Sequence, residues 1–141
     1  HHPTAVLNTL KTARSLHSEN RLIGVFEPRS NTSVQNMMQT ELEEALSLAD
    51  RVLLSKPHRM NSIPESKRLN TKALTENLAK KGIPASTHDN PDDILKTLKE
   101  ECRSGDTVIL MSNGAFGNLH QRLLESFNQG VKNTATLHSS S

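Results

Sequence analysis

Two short stretches carry the residue types that recognise a small acidic ligand. The first is Arg29-Ser30-Asn31-Thr32, where a guanidinium stands beside three short side chains that donate hydrogen bonds. A planar guanidinium holds a carboxylate or phosphate through two parallel bonds. The plainer reading makes Arg29 a surface residue paired with a neighbouring acid. The second stretch is Ser112-Asn113-Gly114-Ala115-Phe116-Gly117-Asn118. Gly114 and Gly117 permit positive φ or a close backbone approach, and N–H groups at the start of a following helix favour an anion. The plainer reading here is a strand-to-helix turn.

Other chemistry has weaker support. The seven histidines show no metal-ligand spacing, and with one cysteine, Cys102, neither a structural zinc site nor an internal disulfide framework is expected. Cys102 lies in a helical pattern and reads as a packed thiol. Lys56 and His58 are catalytic or merely solvated, and sequence order assigns no Ser/His/Asp triad. No GxGxxG and no GxxxxGK[ST] occurs, so the chain has no phosphate loop of its own. His1 and His2 are on spacing alone as much a tag remnant as part of a functional turn.

The elements that must position these residues alternate along the chain. Helical spacing of Val6, Leu7, Leu10, Ala13 and Leu16 predicts a helix over Pro3–His17. Apolar runs predict strands at 21–27, 51–56, 83–88 and 106–112. Helices are expected at Val34–Asp50, from Thr71 as N-cap to a stop at Gly82, from Asn90 as N-cap to about Gly105, and over Phe116–Gly130. Pro91, Asp92 and Asp93 suit the first turn of the helix that Asn90 caps. The tail beyond residue 128 is polar and expected to fray. A strand-helix unit repeated four times after an opening helix argues for an α/β, Rossmann-like fold with a mostly parallel sheet. Near-continuous apolar strands fit a sheet covered on both faces. In such sheets ligands bind beyond the carboxyl ends of the strands. The sequence supplies polar residues at all four: Glu27 to Thr32, Ser55 to Arg59, His88 to Asn90 and Ser112 to Asn118.

Bulk composition narrows the partners. A chain of 141 residues suits one domain, and its core must be aliphatic, since there is no Trp, no Tyr and only three Phe. A net charge of +2 with almost no aromatics argues against nucleic acid. No run is long and apolar enough to span a bilayer, so no membrane insertion is expected. A cytoplasmic setting is expected, and the absence of a starting Met fits a piece of a longer protein.

"HHPTAVLNTLKTAR", "RLIGVFEPRSNT" and "GDTVILMSNGAFGNLHQRLL" resemble the C-terminal part of the Mur ligase family, over roughly residues 1 to 127. Pro57 to Lys81 match poorly. The resemblance implies residues 1–19 as the end of a central ATP-binding domain and its linking helix. Residues 20–128 would be a C-terminal substrate-recognition domain, and 129–141 a polar tail. It implies an ATP-dependent amide ligase of peptidoglycan recycling, serving cell-wall biogenesis, cell shape and cell division. That enzyme would join UDP-N-acetylmuramate to the tripeptide L-Ala-γ-D-Glu-meso-diaminopimelate through an acyl phosphate. ATP and Mg2+ would be held mainly by other domains of the same ligase. The resemblance makes His1 and His2 native residues near the nucleotide, and sets Arg29, Ser30, Asn31, Ser112, Asn113, Gly114 and Gly117 toward the peptide. No catalytic residue is assigned. The alternative is a non-catalytic α/β module that binds an acidic small molecule or a protein partner.

Overall fold

The computed structural model describes residues 3–27, 39–55, 70–103, 105–111, 121–122, 125 and 137–140. In chain order these form α1 (Pro3–Leu16), β1 (Leu22–Phe26), α2 (Gln39–Leu46), β2 (Arg51–Ser55), α3 (Thr71–Lys80), β3 (Ala85–His88), α4 (Pro91–Glu101), β4 (Thr107–Met111) and β5 (Leu137–Ser140). Gln121, Arg122 and Glu125 are helical, within the span expected for a last helix.

Several boundaries differ from the expected ones for local reasons. The α2 helix stops at Leu46 rather than Asp50, because Leu48 and Ala49 donate three residues back, to Ala45 and Leu46, in a tightened last turn. The N-cap of α3 is Asn70, not Thr71; the Asn70 Oδ1 accepts from the Ala73 N–H at 2.9 Å. Gln39 brackets the same cap, accepting from the Asn70 N–H and donating to its carbonyl. At the other end of α3, Gly82 has φ +84°, its N–H bonds to Ala79, and the Ile83 N–H reaches back to Leu78. This glycine-terminated motif claims Ile83 for the helix end, and Pro84 has no N–H for a ladder. The β3 ladder therefore opens at Ala85.

The tail also differs from expectation, since Leu137–Ser140 pairs in parallel with β4, from Val108↔Leu137 to Met111↔Ser140. A sheet edge offers unpaired backbone groups to any extended segment within reach, so polar composition does not forbid a strand there.

The sheet runs β3-β2-β1-β4-β5, and every paired strand is parallel. The chain steps outward from β1 to β3, then returns to the other side of β1. Alternate residues divide between the two faces. Leu22, Phe26, Val52, Leu54, Ile109 and Met111 pack with buried residues of α1, α2 and α3. Ile23, Val25, Leu53, Val108 and Leu110 pack with Ile94, Leu95 and Leu98 of α4. The expected α/β fold, a parallel sheet flanked by helices, is the one observed.

The α1 helix is built into the first of these cores. Val6, Leu10 and Ala13 are buried there. Arg14 donates to the Leu48 carbonyl at 2.8 Å and to Asp50 Oδ2 at 3.0 Å, while the same oxygen accepts from the Leu22 N–H at 2.8 Å. On the other face Arg51 grips Glu101, with Nε to Oε1 at 3.0 Å and Nη2 to Oε2 at 3.2 Å, and so fixes the last turn of α4 to the start of β2. The Arg51 hydrogen bond holds the Glu101 carboxyl below its usual range, against the opposing effect of burial.

Two outcomes are expected. Leu10→Ala should lower stability by about 2–5 kcal/mol in urea unfolding, and an unchanged midpoint would separate α1 from the core. Because the Glu101 pKa is lowered in the folded state, its contribution exists above the unfolded value of about 4.3 and is lost as pH falls through the folded one. Glu101→Gln should therefore melt below the wild type at pH 7, and the two curves should converge in strong acid.

Candidate functional site

The reversal of strand order falls between β1 and β4, and it is at such a switch point that open α/β sheets bind ligands. The seam is closed by a hydrogen bond from the Glu27 N–H to the Met111 carbonyl, 3.0 Å. Beyond it the chain leaves β1 toward Arg29, Ser30 and Asn31, and leaves β4 toward Ser112, Asn113, Gly114 and Gly117. Those seven residues, like His1, His2, Lys56 and His58, lie outside the described residues. What the topology does supply is the root of each loop, and the two roots are neighbours.

The carboxyl edge is polar along its α4 side. The β1–β2 register sets Phe26 beside Leu54, so one further step sets Glu27 beside Ser55, and Ser55 pairs with His88. These are 2%, 3% and 6% exposed. By alternation all three lie on the face that α4 covers, Glu27 following Val25 there, Ser55 following Leu53 and His88 following Ser86. Three adjacent strands therefore end in a buried polar residue at the same level, beside the seam. Burying such groups costs free energy unless they are hydrogen-bonded.

His88 is held from both sides. Its Nδ1 lies 2.6 Å from Asp93 Oδ2, in the first turn of α4, and its Nε2 lies 2.7 Å from Ser86 Oγ. An ionised carboxylate only accepts, so Nδ1 carries a proton, and in the neutral imidazole Nε2 then accepts from the serine hydroxyl. The Ser86 oxygen in turn accepts from Arg51 Nη2 at 3.1 Å. Asp93 is placed by the Asn90 cap, whose Oδ1 takes the Asp93 N–H at 2.9 Å, with Pro91 in the first turn as expected. Thus α4 is pinned at one end by Asp93–His88 and at the other by Glu101–Arg51, and Ser86 links the two pins. Sequence reasoning assigned no such relay. Its signal was present: residues two apart on a strand share a face, and a carboxylate in the next helix's first turn comes back over that face.

The opposite edge is closed by an ion pair. Arg21 meets Asp106 through two bonds, 2.7 and 3.3 Å, and also donates to the Glu101 carbonyl. The Asp106 hydrogen bond raises the Arg21 pKa, against the opposing effect of burial. Cys102 follows the end of α4 and packs against its core; burial pushes the thiol up to about 11, which favours the protonated form at neutral pH. Among the described residues no three His, Cys, Asp or Glu side chains converge as a metal site requires. With no phosphate loop in the sequence, the described residues do not fit a resident ATP–Mg2+ site. Among them no helix is long and apolar enough to cross a membrane.

Comparison with known proteins places this geometry. The profile of the Mur ligase, glutamate ligase domain, matches residues 1–114. A UDP-N-acetylmuramate–L-alanyl-γ-D-glutamyl-meso-2,6-diaminoheptandioate ligase from Escherichia coli is 34% identical over 126 residues, covering 89% of this chain and 25% of the relative. A murein peptide ligase from Psychrobacter arcticus superposes with a TM-score of 0.73 at 33% identity, over 93% of this chain and 26% of that one. A domain from a putative UDP-N-acetylmuramate:L-alanyl-γ-D-glutamyl-diaminopimelate ligase of Haemophilus ducreyi gives a TM-score of 0.65 at 28% identity, over 89% of this chain and 84% of that one. The chain spans about a quarter of the length of the curated relatives it matches. It belongs to the Mur ligase family and corresponds to that family's glutamate ligase domain.

Proposed function

We propose that this chain is the C-terminal, substrate-recognising domain of an ATP-dependent amide ligase of peptidoglycan recycling. The ligase joins UDP-N-acetylmuramate to L-Ala-γ-D-Glu-meso-diaminopimelate. The muramyl carboxylate is activated as an acyl phosphate, and the free amine of the tripeptide displaces phosphate from it. ATP and Mg2+ are bound mainly by other domains of the same cytoplasmic enzyme, with His1 and His2 on the side of the nucleotide. The observation that carries the reading is the switch-point seam. Strands β1 and β4 are neighbours there, so the loops that follow them can act on one ligand. The names of the relatives supply the ligand's chemistry: a peptide with several carboxylates.

In this reading residues 1–19 connect to the central domain, 20–128 recognise substrate and 129–141 form the tail. Arg29 clamps a peptide carboxylate through its two-pronged guanidinium, with Ser30 and Asn31 as short donors. Ser112 and Asn113 face it across the seam, and Gly114 and Gly117 let the backbone approach. The domain's contribution to rate is positioning and electrostatic stabilisation.

Arg29→Ala in the intact enzyme should raise the Michaelis constant for the tripeptide about tenfold or more, the loss of a charge-assisted bond, with a smaller effect on that for ATP. A larger effect on ATP would make Arg29 a phosphate contact. The chain alone should neither hydrolyse ATP nor ligate, and ligation by it alone would overturn the division of labour proposed here.

A further inference from the structure

The relay at the β3 edge has the order and the hydrogen bonds of an activated serine. Ser86 Oγ lies 2.7 Å from His88 Nε2, and His88 Nδ1 lies 2.6 Å from Asp93 Oδ2. Nucleophile, base and orienting carboxylate are recognised by such geometry and by their roles, not by position in a sequence. Two features add to the order. The imidazole is buried and fixed in one tautomer, while Ser86 is half-buried and the Asp93 side chain is 49% exposed, so solvent reaches both ends of the relay. The Arg51 guanidinium, itself gripped by Glu101, donates to the serine oxygen at 3.1 Å and so fixes where that oxygen sits.

We propose that Ser86 is a nucleophile toward activated acyl and phosphoryl electrophiles, with His88 as its base and Asp93 holding the base. This activity is separate from the ligase reading and does not depend on it. In the step, Ser86 Oγ forms a bond to the carbonyl carbon or phosphorus as the leaving group departs with its bonding electrons. The hydroxyl proton passes to His88 Nε2, and the resulting imidazolium faces Asp93. With an aryl ester, the departing aryl oxide takes that proton from His88; water then attacks the acyl-serine and gives a proton to His88, which passes it to Ser86 Oγ as the carboxylic acid is released. With a fluorophosphonate, fluoride leaves and the phosphonyl-serine remains. The network also has a structural consequence, the pinning of α4, which a substitution at His88 alone would confuse with chemistry.

The test is treatment of the purified protein with an alkyl fluorophosphonate, read by intact mass and by peptide mapping, beside Ser86→Ala, His88→Gln and Asp93→Asn. Melting curves confirm that each variant is folded. The expected result is one adduct on Ser86, absent from Ser86→Ala, with labelling slowed at least about a hundredfold in His88→Gln, the scale of general-base assistance. Asp93→Asn, which keeps the shape but loses the carboxylate, should also label at least about tenfold more slowly. No adduct, an adduct elsewhere, or Ser86 labelling that His88→Gln and Asp93→Asn leave unchanged would each overturn the proposal and leave the relay as packing.

Discussion

The bond from the Glu27 N–H to the Met111 carbonyl closes the seam on which the rest of the arrangement depends. A parallel sheet can be extended from one side indefinitely, but a crevice needs neighbouring strands whose following segments depart in opposite directions. Here β1 and β4 meet that condition: the path after β1 runs toward β2, and the path after β4 runs toward β5. Crossovers of one hand then send α2 and α3 to one face and α4 to the other, as the two apolar clusters record. Opening the seam would split the sheet into β3-β2-β1 and β4-β5 and separate the two loop roots.

The two faces are secured by different physics. On the α1–α2–α3 side the holding force is apolar burial, with Arg14 and Asp50 trimming one end. On the α4 side the apolar contact is narrower, and a polar strip runs beside it from Asp93 through His88, Ser86 and Arg51 to Glu101. Such chains are worth keeping only when every member is satisfied, because a single missing partner leaves a covered neighbour, His88 above all, short of a hydrogen bond. The strip also dictates orientation: one acid in the first turn of α4 and one in the last fix both the direction and the height of the helix over β2 and β3.

The α/β alternation was legible because both sheet faces are covered, which makes each central strand an unbroken apolar run such as Val52-Leu53-Leu54. The α4 start was legible in Asn90-Pro91-Asp92-Asp93, where cap, ring and charges agree. Competition between adjacent candidates hid the α3 cap: Asn70 and Thr71 both suit it, and the bracket from Gln39, thirty-one positions away, favours Asn70. The β5 strand was illegible because edge pairing is a backbone property. The carboxyl edge was legible because polar residues follow the apolar runs; the loop residues expected to form the site there lie outside the described residues. The Ser86–His88–Asp93 relay was not legible, because it joins a strand to the following helix and depends on the angle at which α4 returns.

Charge is distributed unequally between the two ends of the sheet, and this asymmetry argues for which end meets a ligand. At the amino edge Arg14, Arg21 and Arg51 are each tied to an acid at 3.0, 2.7 and 3.0 Å, so their charges are neutralised where they stand. With a net charge of only +2 the chain has few cations in excess. An arginine engaged in a two-pronged pair with a carboxylate of its own chain offers little to a second carboxylate, because the same donors would have to serve both. These three arginines at the amino edge are thus already engaged. At the carboxyl edge the strands end in Glu27, Ser55 and His88 instead, and the next arginine in the sequence after β1 is Arg29. The proposed approach of an acidic ligand from the seam side fits this distribution, since β1 and β4 end as neighbours there.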